Sequence, residues 1–178
     1  MNKTQILWIA TLVSQVIALI LAGFSNGHSW ITGEMRVEGV EMNAYMGVWQ
    51  LCWNRAKDGL YCTWVGSFTD MSTWLVAIAR FLLLMDEIVI FLAICLSFLY
   101  ATRTFTDEGI ANIIINLIAA VLMATSNGLL QGEFQREKFD FASIGWTCFV
   151  AWASFASLVA STSFSFMSFS NYYTEKQY

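Results

Sequence analysis

Four long apolar stretches divide the chain. Residues 5–24 carry no charged side chain and follow a short start that includes Lys3. Residues 74–100 are apolar but contain Arg80, Asp86 and Glu87. Residues 109–130 hold no charge, though Asn112, Asn116 and Asn127 interrupt them, and residues 141–169 hold none either. A membrane-crossing helix needs about 20 mostly apolar residues, so each stretch predicts a span. The first is longer than the ~7–15-residue apolar region of a cleaved signal peptide, and no small-residue cleavage site follows it. It reads as a retained span. The connectors at 101–108 and 131–140 are short, the latter a polar run from Gln131 to Asp140, and only residues 170–178 follow the last span. Short connectors force neighbouring helices to run antiparallel. The pattern predicts a membrane α-helical fold, an up-down four-helix bundle in a single domain covering 1–178.

The connector at 25–73 is different: it is long and holds most of the charges. Residues 49–53 and 60–65 are aromatic-rich and flank the polar run from Asn54 to Gly59, where Asp58-Gly59 is a strong turn signal. This predicts a hairpin with Cys52 on one strand and Cys62 on the other. Residues 29–40 form a second extended stretch, with Gly33 and Gly39 as turn points. A small twisted sheet outside the bundle follows.

Composition narrows the function. Of 178 residues, 57% are hydrophobic and 12% charged, about half the charge of a soluble domain. Disorder requires low hydrophobicity and high net charge, and is excluded. A net charge of −4 with a pI near 4.8 excludes a basic nucleic-acid binder. The single histidine, His28, excludes multi-histidine metal sites, and the four cysteines form no CxxC pair. A serine nucleophile would lack a base other than His28. An enzyme is not expected, nor a cofactor other than a bound lipid or sterol.

Four spans place both termini on one side of the membrane. With the termini in the cytoplasm, Lys3, Arg103 and Lys176 lie inside, while Arg36, Arg55, Lys57, Arg136 and Lys138 lie opposite. The positive-inside bias therefore gives no support, and long loops translocate largely regardless of charge. The cysteines decide. Disulfides persist on the oxidising side, and closing the loop from Cys52 to Cys62 would contribute ~2–3 kcal/mol in the chain-entropy model. The long loop is expected outside, in the plasma membrane setting, with both termini cytoplasmic. Cys95 and Cys148 fall within spans, where a cysteine behaves as a small apolar residue.

Trp30, then Gly47-Val48-Trp49, two residues, Cys52, nine residues and Cys62 form a tryptophan–cysteine pattern in the long loop. It resembles the signature of the claudin superfamily, which includes claudins, peripheral-myelin-protein-like proteins and the transmembrane regulatory subunits of AMPA receptors. Val48 stands where the family has leucine. Ala79-Arg80 is similar to the pair that opens the family's second span, and Gly145-Trp146 and Ala151-Trp152 to the start of its fourth. The resemblance implies a left-handed four-helix transmembrane bundle carrying a small extracellular antiparallel sheet. A fifth strand would come from the second loop, near residues 132–136. Trp30 and Trp49 would anchor the sheet at the membrane surface, which the interfacial preference of tryptophan also favours. The implied function is cell–cell contact or barrier formation through the sheet. The alternative is an auxiliary, regulatory transmembrane subunit of an ion channel or other membrane complex. Partners would be other membrane proteins, either like molecules in cis and trans or a channel-type complex, together with membrane lipid and not nucleic acid. Many claudins end in a hydrophobic residue that binds PDZ scaffolds; this chain ends Glu175-Lys176-Gln177-Tyr178, which favours the auxiliary reading. The sequon Asn2-Lys3-Thr4 falls on the cytoplasmic end, so loop glycosylation is not expected.

Two further features stand out in the spans. Small residues let helix backbones approach in lipid. Ala10, Ser14, Ala18 and Ala22 repeat every four residues in the first span, as do Ala153, Ser157, Ser161 and Ser165 in the fourth and Ala120, Ala124, Gly128 and Gly132 in the third. The first and fourth seams are predicted to touch; a docking partner helix is the competing use. Asp86 and Glu87 lie about 9–10 Å beyond Arg80 along the helix. Ionisable residues inside a span mark functional sites by default, and the pair is a candidate intramembrane anchor. Neighbouring helical residues point about 100° apart. One acid should face the bundle interior and bond to polar groups there, with Asn127 at a fitting depth. The other should be neutral, reach the outer interface, or contact a polar group on a partner protein.

Overall fold

The apolar windows fold as long helices because, in lipid, a helix satisfies every backbone polar group within itself. The computed structural model describes residues 3–37, 40–55, 59–64, 74–102, 109–136 and 140–176. The helices are α1 (Lys3–Asn26), α2 (Trp74–Thr102), α3 (Gly109–Arg136) and α4 (Trp146–Lys176). Each is long and apolar enough to cross a membrane, and the chain is an integral membrane protein. Between α1 and α2 lie β1 (Ser29–Val37), β2 (Val40–Gly47), β3 (Gln50–Arg55) and β4 (Gly59–Trp64), and β5 (Asp140–Ile144) precedes α4. The residues at 65–73, 103–108 and 137–139 lie outside the described set. So do Gly39, the Asp58 half of the predicted turn, and Tyr178.

Helix α1 packs on α4 and α2, and α3 packs on α2 and α4, which closes a ring of four antiparallel neighbours. The buried positions show how the ring closes. In α1 they are Thr11, Gln15, Ala18, Ala22 and Ser25. In α2 they include Leu83, Asp86, Ile90, Ala93 and Ser97, and in α4 Ala151, Ser154, Leu158, Ser161, Ser165 and Ser168. The spacing alternates between four and three residues. A seam of period 3.5 drifts around a 3.6-residue helix, and helices that keep it in contact wind left-handedly. The architecture is a left-handed four-helix bundle with a small antiparallel sheet at one end.

That period corrects the four-residue seams. A strict four-residue repeat drifts the opposite way around the helix. In α1, Ala18 and Ala22 are buried but Ala10 and Ser14 only half-buried; in α4, Ser161 and Ser165 are buried, Ser157 is half-buried and Ala153 is exposed. Ser154, one residue on from Ala153, takes the inward position, and its hydroxyl donates to the Ala18 carbonyl at 2.7 Å. In α3, Ala120 is buried while Gly128 and Gly132 face outward.

The five strands order β4-β3-β2-β1-β5, and every pairing is antiparallel. Gly59 opens β4 with φ of +89°, a backbone that glycine adopts at no steric cost. Strand β1 runs straight through Gly33, which is no turn. The fifth strand is not at residues 132–136: α3 continues as helix to Arg136, and the strand is β5. The fourth helix accordingly starts at Trp146 and not near residue 141. A helix needs apolar residues only within the bilayer, so the polar turn from Gln131 to Arg136 extends α3 beyond it.

Candidate functional site

Two arrangements carry the unusual residues: the junction between sheet and bundle, and the polar layers inside the bundle.

The junction is built by backbone contacts that demand small residues. The Trp30 indole is buried and donates to the Ser25 carbonyl at 2.9 Å, tying β1 to the end of α1. The Gly145 amide donates to the Trp30 carbonyl at 2.6 Å, and the Thr147 hydroxyl donates to the Ser29 carbonyl. A Cβ on Gly145 would lie 2.8 Å from the Ser29 oxygen and 2.9 Å from the Trp30 oxygen; one on Gly47 would lie 2.7 Å from the His28 oxygen. Both glycines sit where two backbones meet. Val48 is fully buried, and its carbonyl accepts from Arg80 Nε at 2.8 Å. The Arg80 guanidinium also lies 5.5 Å from the centre of the Trp49 ring, within cation–π range. Arg80, on the first turns of α2, thereby pins the Gly47-Val48-Trp49 corner to the bundle. Cys52 and Cys62 face each other across β3 and β4 and are disulfide-bonded. Cys95 and Cys148 are free thiols, exposed and buried respectively.

The first polar layer lies in the half of the bundle nearer the termini. Gln15 Nε2 donates to Asn116 Oδ1 at 2.9 Å and to Asn112 Oδ1 at 3.2 Å. Asn112 Nδ2 donates to the Ser97 hydroxyl at 2.9 Å, and Asn116 Nδ2 to the Ser165 hydroxyl at 3.4 Å. All four helices contribute. Interhelical hydrogen bonds of this kind average about 0.6 kcal/mol each in a membrane protein. They fix which faces meet as much as how firmly.

The second layer is nearer the sheet. Asn26 Nδ2 donates to Glu87 Oε1 at 2.6 Å. Asp86 and Asn127 are both fully buried. Neither carboxylate oxygen of Asp86, nor either side-chain polar atom of Asn127, has a hydrogen-bond partner, and Asn26 Oδ1 has none. Of the two adjacent acids, Asp86 points inward and Glu87 is half-buried and engaged by α1. This inverts the expected arrangement in one respect: the inward acid is the one without a hydrogen bond. It also removes Asp86 as an anchor for a partner helix, which could not touch a fully buried side chain. Sequence reasoning did not single out Gln15, Asn26 or Ser97. A polar residue at an inward heptad position of a span is the signal that marks Gln15 and Ser97. Among the described residues, no group of three or more His, Cys, Asp or Glu side chains could hold a metal ion.

Fold and junction together define the class: an integral membrane protein whose four-helix bundle carries a disulfide-braced five-stranded sheet. No protein-family model and no curated protein sequence matches the chain significantly.

Proposed function

We propose that the protein is a claudin-like contact protein of the plasma membrane. Its termini lie in the cytoplasm, and its sheet meets like molecules outside the cell. The observation that carries this reading is the edge of the sheet at β4, which pairs only with β3 among the described residues. Strand β5 leads directly into α4, whereas β4 ends the sheet on the other side, four inter-strand spacings or about 19 Å away. Leu60 and Tyr61 on β4 are both exposed. An edge strand presents unpaired backbone groups that invite another chain, and apolar side chains on it supply contact area. The disulfide between β3 and β4 holds that edge in shape.

The alternative is an auxiliary subunit of a channel-type complex. Its case rests on the C-terminal residues, which do not match a scaffold-binding ending, and on an acid turned toward a partner within the membrane. With Asp86 inside the bundle and Glu87 bonded to Asn26, the second of these supports is weakened. Co-expression of two differently tagged copies, followed by purification in mild detergent, tests the choice. The contact reading expects the second tag to co-purify, and less of it from the Leu60→Ser, Tyr61→Ser double variant. A stoichiometric unrelated membrane protein, with no second copy, would overturn it.

A further inference from the structure

The two polar layers are related by a simple count. Gln15 on α1, Ser97 on α2 and Asn116 on α3 belong to the bonded layer, in which Gln15 Oε1 alone lacks a partner among these side chains. Eleven residues toward the sheet from each lie Asn26, Asp86 and Asn127. Eleven residues make about three turns plus 20°, a rise of about 16 Å. Each residue of the second layer therefore lies about three turns above its counterpart, Asp86 and Asn127 on the inward face and Asn26, next to the inward Ser25, at its edge. Gln15 reaches Asn116, and Ser97 joins them through Asn112, so the three faces converge in the first layer. The same count puts Asn26, Asp86 and Asn127 at one level in the second, and the Asn26–Glu87 bond independently brings α1 to the level of Asp86.

The second layer differs in reach and in kind. Helices α1 and α3 stand diagonally in the ring. Gln15 spans the diagonal to Asn116; Asn26, one methylene shorter, makes no bond to Asn127. What remains is an excess of acceptors. Asp86 Oδ1 and Oδ2, Asn127 Oδ1 and Asn26 Oδ1 are buried oxygens without a donor, against one unpaired donor, Asn127 Nδ2. A carboxylate stays ionised in a buried site only where it is paired or coordinated, and oxygen-only sets suit hard cations. Asn26 is the last residue of α1 and half-buried, so the layer is open at that side, while Asp86 and Asn127 are fully buried.

We propose that Asp86, Asn127 and Asn26 form a binding site for a single monovalent, sodium-sized cation. Asp86 supplies one compensating charge from within the bundle and amide oxygens supply the rest of the shell, while the half-buried Glu87 is engaged by Asn26 Nδ2. A tightly held divalent ion would call for more carboxylates. The bound ion would lock α1, α2 and α3 together just beneath the sheet junction.

The test is thermal unfolding of the purified full-length chain in non-ionic detergent. Sodium chloride is titrated against choline chloride at constant ionic strength, with parallel arms in potassium, calcium and varied pH. The expected result is a saturable rise in melting temperature with sodium. That rise should be absent in Asp86→Asn and weakened at least threefold in apparent affinity in Asn127→Ala. Asp86→Asn keeps the shape and removes the charge, so it should fold; if it does not, Asn26→Ala, at the half-buried rim, carries the comparison. Equal melting curves in sodium and choline would overturn the site. So would a melting temperature that follows pH alone, which would mean that a proton occupies Asp86. Stabilisation by calcium but not sodium would overturn the monovalent assignment.

Discussion

Replacing Arg80 by Met should loosen the sheet from the bundle while leaving both intact. Arg80 is almost fully buried, donates from Nε to the Val48 carbonyl at 2.8 Å, and stacks its guanidinium 5.5 Å from the Trp49 ring centre. Methionine keeps most of the length and apolar stem but no donor. The lost charged hydrogen bond is worth about 1.5–3 kcal/mol, and the Val48 carbonyl, in a fully buried residue, is left without this donor. The cation–π contact adds about 0.5–2 kcal/mol. Because neighbouring effects do not sum, a net loss of about 2–4 kcal/mol is expected. Arg80→Lys keeps the charge but not the planar fork, and should fall between. The assay is thermal unfolding in detergent by tryptophan fluorescence, with trypsin cleavage after Arg55, the last residue of β3, as a local reporter. Arg80→Met should lower the midpoint by roughly 5 °C or more and speed cleavage in the sheet before the helices melt. A midpoint and cleavage rate equal to wild type would refute the view that Arg80 couples sheet to bundle.

Other outcomes test separate parts of the fold. Mapping of non-reduced peptides should find Cys52 joined to Cys62 with Cys95 and Cys148 free, and the Cys52→Ser, Cys62→Ser double variant should lose about 2–3 kcal/mol in the chain-entropy model. Gly145→Ala places a Cβ against the Ser29 and Trp30 oxygens and should cost about 1–3 kcal/mol of stability by overpacking, whereas Gly128→Leu, with nothing within 4 Å of its Cβ, should leave the melting midpoint nearly unchanged. Ser154→Leu should force α1 and α4 apart and abolish the folded peak in size-exclusion chromatography, while Ser157→Leu, half-buried, should be tolerated better.

The spans, the β3–β4 hairpin and the disulfide were legible because each rests on a local signal: a long apolar run, Asp58-Gly59 between aromatic stretches, and one cysteine in each of those stretches. Strand β2 also had a signal that went unused. Val40, Met42, Ala44 and Met46 alternate with polar or smaller partners, and Met42 and Ala44 are buried. The phase of the helix seams was not legible from small residues alone, since α4 carries serine or alanine on most of its faces. Lipid tolerates Ala153, Gly128 and Gly132 as readily as the core does, so size does not say which way a residue points. Heptad spacing does, but only once polar residues such as Gln15 and Asn116 are counted as inward. The placement of the fifth strand failed because a helix leaving the bilayer can carry polar residues for several turns. The acids were flagged by chemistry, yet their directions depend on helix rotation, which puts Asp86 inside and leaves Glu87 at the α1 contact.

The central claim is that the extracellular sheet brings like molecules together across two cells. The most direct measurement mixes cells that express a fluorescently tagged copy with cells that do not, and images the boundaries. The account predicts enrichment of the tag at boundaries between two expressing cells, no enrichment where an expressing cell meets a non-expressing one, and loss of enrichment in the Leu60→Ser, Tyr61→Ser variant that still reaches the surface. Uniform fluorescence at every boundary, with the protein at the surface and its disulfide formed, would contradict it.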